Sequence, residues 1–173
     1  MKVFGIAGWS GSGKTTLLVK VLPELTGRGF AVSTMKHTHH NFDIDKPGKD
    51  SHEHRLAGAT EVMIASSARW ALLHELRGAA EPDMETLIAQ MAPVDLLLIE
   101  GFKFHRHPKL EVFRPAIGKP MLCAEDKSVV AVASDGTISG IGIPRFDMND
   151  AAGIADFIVD YVGLAKGMRH GAA

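Results

Sequence analysis

The chain has 173 residues, with 19 Lys and Arg against 20 Asp and Glu and a formal net charge of −1; so balanced a protein has no global field to attract duplex nucleic acid, and none is expected as a partner. That length fits a single domain over residues 1–173 with its own buried core, and the lone cysteine, Cys123, cannot close an internal disulfide. No apolar run approaches the ~20 residues of a membrane span and none reads as a secretory leader, so a soluble cytoplasmic protein without membrane contact is expected.

An apolar strand is predicted at 2–7, and it leads directly into Gly8-Trp9-Ser10-Gly11-Ser12-Gly13-Lys14-Thr15, a complete G-x-x-x-x-G-K-[ST] loop. A polyphosphate needs close backbone approach, which Gly8, Gly11 and Gly13 permit; Lys14 would reach the β/γ-phosphates, and the Thr15 hydroxyl would ligate Mg²⁺. Leu17, Leu18, Val21, Leu22 and Leu25 then recur at helical spacing over 14–26, which turns a helix N-terminus toward the same anion. Pro23 inside that pattern predicts a kink or an early end.

A second strand at 31–35 precedes the polar stretch Lys36 to Arg55, too long for a plain connection. Its acids Asp43, Asp45 and Asp50 could reach Mg²⁺, while Lys36, Lys49 and Arg55 could meet phosphate or a partner's anion. Five histidines fall here, among them His37, His39 and His40. With no cysteine nearby and no metal-ligand spacing on a helix, solvated or phosphate-facing imidazoles are expected rather than a Zn²⁺ or Ni²⁺ site.

A short helix at 51–57 is followed by strands at 61–65 and 70–75, which the link 66–69 turns into an antiparallel hairpin at the sheet edge. A helix at 84–91 leads to the uninterrupted 96–99, a central buried strand that carries Glu100 to its C-terminal end, where ligands of open α/β sheets collect. Glu100 is a candidate Mg²⁺ ligand, direct or through water, or else the cap of an exposed turn. The basic stretch Phe102 to Lys109, a strand at 110–113 and the stretch Arg114 to Pro120 come next. Both basic stretches are expected on the ligand side of the sheet, facing a polyanion, a partner or solvent.

A strand at 129–133 ends in Ser134-Asp135. No Asn-Lys-x-Asp is present, so Asp135 either accepts from a guanine edge or opens the Asp135-Gly136 turn. A helix at 151–164 precedes a tail, 167–173, that is expected to fray. Alternating strands and helices give a P-loop NTPase-like three-layer α/β/α fold, with a mainly parallel sheet and an antiparallel edge hairpin.

The combination of Gly8 to Thr15, Lys36-His37-Thr38-His39-His40, the run from Asp43 through Asp45, Pro47 and Asp50 to Ser51, His54-Arg55, Glu100-Gly101-Phe102-Lys103 and Arg114-Pro115 closely resembles the MobB family of molybdopterin-guanine dinucleotide biosynthesis adaptors. The likeness spans nearly the whole chain, and the His-rich block is its most specific part. It implies a GTP-binding homodimer that assists guanylylation of molybdopterin beside the guanylyltransferase MobA. It also implies phosphate contacts at Gly11, Ser12, Gly13, Lys14, Thr15 and Thr16, Mg²⁺ at Thr15 and Glu100, and a cleft lined by Asp50 and the His37 to His40 block, with Lys36, Arg55 and Lys103 as candidates for a second ligand or a switch-like loop.

An arginine finger supplies ~10³ to 10⁵ in hydrolysis rate. Arg55, Arg106 or Arg114 could act so only if a partner closes the site, so weak or partner-dependent GTPase activity is expected. The rival enzyme reading is a small-molecule kinase using ATP or GTP, whose Arg-rich lid this sequence does not display. A nickel-inserting GTPase would require Ni²⁺ binding that depends on His37, His39 and His40.

Overall fold

The computed structural model describes residues 1–38, 42–103 and 105–165. The expectations for His39, His40 and the tail lie outside them. The chain divides into two compact units, Met1–Thr38 with Pro93–Ala173, and His39–Ala92.

The first unit is built on a six-stranded sheet in which every pairing is parallel. β1 (Lys2–Ala7) lies between β5 (Leu96–Glu100) and β6 (Lys109–Phe113); β2 (Val32–Lys36) flanks β5, while β7 (Val129–Ser134) and β8 (Arg145–Asp147) continue from β6. Central position explains composition. β5 is buried along its whole length, so Leu96 to Ile99 carries no polar alternation. β8 escapes sequence reading because it is a three-residue edge strand behind Pro144, half exposed and without periodicity.

Two helices cover one face. α1 (Lys14–Gly27) contributes Leu17, Leu18, Val21 and Leu25, and α4 (Ala151–Val162) contributes Ile154, Ala155, Ile158 and Val159, against Phe4, Ile6, Leu96, Leu98, Leu110, Val112, Ala131 and Ala133. Asp150 caps α4 by accepting from the Gly153 N–H at 2.9 Å, and Gly163 ends it in the left-handed conformation. Pro23 does not end α1: it is exposed, and the carbonyl its ring leaves unbonded is that of Val19, whose side chain points to water.

On the opposite face β6 presents Lys109 and Glu111, both fully buried. Each is satisfied. Lys109 Nζ donates to Lys103 O (2.9 Å), His105 O (2.6 Å) and Asp126 Oδ2 (3.0 Å); Glu111 accepts from the N–H groups of Leu122 (2.7 Å) and Cys123 (2.9 Å), which open a short 3₁₀ turn.

The second unit holds α2 (Asp50–Leu56), α3 (Met84–Ala89) and the hairpin of β3 (Glu61–Ala65) and β4 (Trp70–His74). The antiparallel pairing is as expected, but its place is not. The hairpin is a separate two-stranded sheet, and the edges of the large sheet are β2 and β8. Alternation along 61–75 dictates pairing within the hairpin, and it carries no information about a third strand.

Candidate nucleotide-binding site

Register builds the site. Parallel pairing sets Ile6 and Lys36 on either side of Glu100, so the ends of β1, β2 and β5 open at one level. The loop from Gly8 to Gly13 begins there and turns into α1. Gly8 is buried with φ 145°, and a Cβ on it would stand 2.5 Å from Val112 O and 2.7 Å from Ser12 Oγ. No other residue fits that approach. Gly13, at φ 99°, makes the turn into the helix.

Ser12 is 1% exposed and its Oγ has no hydrogen-bond partner, an orphaned hydroxyl at the base of the loop. Lys14 Nζ donates to the carbonyls of Gly8 and Trp9, both at 3.0 Å. Burial lowers the pKa of this ammonium. Glu100 pulls it back up, and the neighbouring Lys103 and Lys36 press it down again. Thr15 Oγ1 donates to Glu100 Oε1 at 2.9 Å, and Lys36 Nζ stands 3.5 Å from the same oxygen. Thr15 and Thr16 are exposed at the start of α1.

A hydroxyl and a carboxylate oxygen, both hard donors, therefore meet beside a lysine at a helix N-terminus. That set suits Mg²⁺ held jointly with phosphate oxygens, and the orphaned Ser12 hydroxyl with the cradle at Gly8 suits the phosphates themselves. Among the described residues, no three His, Cys, Asp or Glu side chains gather as a metal centre of their own.

Gly101 (φ 100°) and Phe102 (φ 45°) turn the chain sharply after Glu100. A Cβ on Gly101 would come within 3.1 Å of His37, whose N–H donates to Glu100 O at 2.9 Å and whose ring lies 4.4 Å from the buried Phe102 ring. Lys103 follows, its Nζ 4.0 Å from the centre of the Trp9 ring. Across the loop, Arg114 Nη2 lies 3.7 Å from where a Gly13 Cβ would stand. Arg114 Nε is ion-paired with Asp135 Oδ2 at 3.1 Å, and its Nη2 meets Met148 Sδ at 3.6 Å.

So the large unit brings together Gly8, Gly11, Ser12, Gly13, Lys14, Thr15, Thr16, Lys36, His37, Glu100 and Lys103, with Asp135 tied in through Arg114. Asp50 and Arg55 belong to the other unit. There Arg55 is committed: Nη2 donates to Asp43 Oδ1 (2.8 Å) and Asp45 Oδ1 (2.9 Å), Nε to Asp45 Oδ2 (3.2 Å), and Nη1 stands 3.6 Å from Glu75. The Arg55 hydrogen bond holds the Asp45 carboxyl below the usual carboxylate range.

One expectation needs correction. The stretch from Phe102 to Lys109 does not stay on the ligand side. Lys109 begins β6 and pairs with Gly5, and a segment feeding a parallel strand must turn back to that strand's N-terminal end. Arg106 and His107 accordingly line an open cavity of about 660 Å³ with Glu125, Asp126 and Ser128, which precede β7. Sequence reasoning also missed Trp9, whose ring both Lys103 and Lys119 approach. A large aromatic among the glycines of the loop was the available signal.

Comparison with known proteins decides the family. Residues 3–135 match the family model described as MobB, molybdopterin guanine dinucleotide synthesis protein B. The chain belongs to the MobB family. Along 168 residues it is 43% identical to the molybdopterin-guanine dinucleotide biosynthesis adapter protein of Escherichia coli K12, covering 95% of each chain. Over 167 residues it is 40% identical to the adapter protein of that name from Haemophilus influenzae, covering 96% of this chain and 93% of that one. The fold of this MobB-family chain is that of the crystal structure of Bacillus subtilis MobB (TM-score 0.73, 23% identity, 94% and 98% covered) and of a molybdopterin-guanine biosynthesis protein B (TM-score 0.73, 26% identity, 92% and 99% covered).

Proposed function

We propose that this chain is an adapter in molybdopterin-guanine dinucleotide biosynthesis that binds GTP with Mg²⁺ at the Gly8–Thr15 loop and assists the guanylyltransferase MobA. The adapter role rests on the names of its relatives. The nucleotide rests on one observation above the others, the hydrogen bond from Thr15 to the buried Glu100 beside Lys14 and Lys36.

In this reading the N–H groups at the start of α1 cradle the α/β-phosphates, and Lys14 exchanges its loop carbonyls for β/γ-phosphate oxygens. Mg²⁺, when bound, neutralises phosphate charge and bridges it to the protein; Thr15 and Glu100 would hold it. Asp50 is a further candidate for that ion, and Lys36, His37 and Arg55 for a second ligand.

Turnover is weak or partner-dependent. Of the arginines weighed as a compensating cation, Arg106 lines the cavity at the starts of β6 and β7, and Arg114, beside Gly13, is paired with Asp135. Asp135 is the candidate for reading guanine. Its competitor for that carboxylate is Arg114, so an Asp135→Ala variant should lose the preference for GTP over ATP.

A homodimer is part of the proposal. In support, one face of the hairpin exposes Met63, Trp70 and Leu72, at 63%, 68% and 43%. Sedimentation should give twice the chain mass, and Leu72→Lys should reduce it.

Equilibrium binding of Mg²⁺-GTP and Mg²⁺-ATP, followed by a guanylyl-transfer assay with MobA, tests the whole. Preference for GTP and faster transfer on adding this chain support it. Preference for ATP with phosphate transferred to a metabolite would replace it with a kinase.

A further inference from the structure

Three strand ends meet beside the phosphate loop. Parallel register sets Phe113, Ser134 and Asp147 level with one another, so the first residues beyond β6, β7 and β8, which are Arg114, Asp135 and Met148, emerge side by side. Arg114 Nε stands 3.1 Å from Asp135 Oδ2; that nitrogen is shut off from solvent, and the contact is an ion pair without an aligned hydrogen bond. Arg114 Nη2 rests 3.6 Å from the sulfur of the buried Met148.

We propose that Arg114 reads the O6 edge of guanine beside Asp135, so that the pair, and not the carboxylate alone, selects the base. This deepens the nucleotide reading above and rests on it.

Three observations carry the assignment. First is direction. Glu100 and Lys36 end β5 and β2, so Mg²⁺ and the outer phosphates would gather on that flank of the loop. The strand order then carries the nucleoside, at the other end of the phosphate chain, toward β6, β7 and β8. Arg114 Nη2, 3.7 Å from where a Cβ on Gly13 would stand, marks the near edge of that side.

Second is mounting. Asp135 sits in a turn that the Gly136 N–H closes by donating to Ser134 Oγ at 3.1 Å, and Met148 is tied to the same strand end by its N–H on Ser134 O at 3.0 Å. The Arg114 and Asp135 side chains are 40% and 39% exposed, so each is held on one edge and open on another. Other polar groups at this level are spent on neighbours: Asp147 Oδ1 accepts from the Asn149 N–H at 2.7 Å, and Asn149 Oδ1 from Lys20 at 3.0 Å.

Third is pattern. Guanine presents its 2-amino group and N1–H as donors and O6 as an acceptor in one row, and a carboxylate beside a guanidinium offers acceptors and then donors in the matching order. Adenine would set its 6-amino donor against the guanidinium and its N1 acceptor against the carboxylate. Each mismatch leaves polar groups without a partner, which is the stronger kind of discrimination.

Equilibrium binding of four Mg²⁺ complexes separates the contacts: GTP; inosine triphosphate, which lacks the 2-amino group; 6-thio-GTP, whose sulfur is a weak acceptor in place of O6; and ATP. The parent should bind GTP about tenfold more tightly than 6-thio-GTP, the scale of one charge-assisted contact. Arg114→Met should weaken GTP and inosine triphosphate alike by about tenfold, erase the preference for GTP over 6-thio-GTP, and hold ATP within about twofold. Arg114→Lys keeps a cationic donor and should recover part of that preference, whereas Asp135→Ala should remove the preference for GTP over inosine triphosphate.

Equal loss of all four nucleotides in both Arg114 variants, or a preference for GTP over 6-thio-GTP that is missing in the parent or untouched in Arg114→Met, overturns the proposal while leaving the nucleotide reading intact. A parent that binds none of the four overturns both.

Discussion

Lysines stand at the start of β6 and at the open ends of β1, β2 and β5, in opposite settings. At the start of β6, Lys109 is fully buried and its ammonium is spent on two backbone carbonyls and the Asp126 carboxylate. Where those strand ends open, Lys14 at the start of α1 is perturbed by Lys103 and Lys36 as well as by Glu100, and its hydrogen bonds go to the loop carbonyls of Gly8 and Trp9, for which a phosphate would compete. A buried cation closed by fixed partners holds a fold together. A cluster of cations around one acid is built for an anion from outside. The same residue type thus serves structure at one end and recognition at the other, and what separates the two is the bookkeeping of partners.

The largest test of this contrast is Lys109→Met. Removing the ammonium takes the buried donor from Asp126 Oδ2 and from the Lys103 and His105 carbonyls, although Ser128 still donates to Asp126 and the His107 N–H to His105 O, so urea unfolding should show a loss of about 2–4 kcal/mol. Lys14→Ala should shift the same unfolding by less than about 1 kcal/mol, because the lost loop hydrogen bonds are offset by relief of burial and repulsion. Nucleotide binding should disappear. Comparable destabilisation by both changes would erase the contrast.

Next in size is a pH effect at the structural end. His107 is buried against Gly5 with neither ring nitrogen bonded, and burial, reinforced by Lys109, lowers its pKa to about 4. The unfolded chain takes up this proton near pH 6.5 and the folded one only near 4. The neutral ring's contribution is therefore complete above about pH 6.5 and falls as pH drops toward 4, then stays flat. Parent protein should lose roughly 1–3 kcal/mol more than His107→Leu between those values in parallel urea titrations, after discounting for solvent screening. Identical pH profiles would mean that His107 is solvated.

At the recognition end, Glu100→Gln keeps a hydrogen-bond acceptor for Thr15 but removes the charge. It should weaken GTP binding by about tenfold in Mg²⁺ and spare the component measured in EDTA. Equal loss in both would make Glu100 a structural partner of Thr15. The smallest effect is expected at Cys123, whose thiol burial and the Glu111 carboxylate push up to about 11. Iodoacetamide at pH 8 should label it far more slowly in the folded chain than in urea.

These two ends were unequally legible in the sequence. The recognition end was readable because its elements are contiguous motifs: Gly8 to Thr15 needs glycines for backbone approach, and an apolar strand that delivers Glu100 says where that acid stands. The α/β order followed from strands and helices alternating with their own periods. The structural end was opaque. Lys109 and His107 look like part of a surface run of basic residues, and only the parallel pairing of β6 with β1 shows that the run must turn back to feed a central strand, where two of them are buried. The meeting of Trp9 with Lys103, Lys119 and Pro120 was hidden for a similar reason, since residues 94 to 111 positions apart become neighbours only through strand order. The partners of Arg55 were hidden as well: Asp43 and Asp45, 12 and 10 residues upstream, hold its guanidinium through a fold of the chain that no motif announces.

The most direct test of the central claim is thermal unfolding of the parent and of Lys14→Ala with saturating GTP or ATP, each with Mg²⁺. At ~100 times its Kd a ligand adds ~2.7 kcal/mol to stability, a shift of several degrees for a chain of this size. The account predicts that GTP raises the Tm of the parent, that ATP does so far less, and that neither moves Lys14→Ala. A parent that GTP does not stabilise, or a Lys14→Ala variant that it stabilises as much, would contradict it.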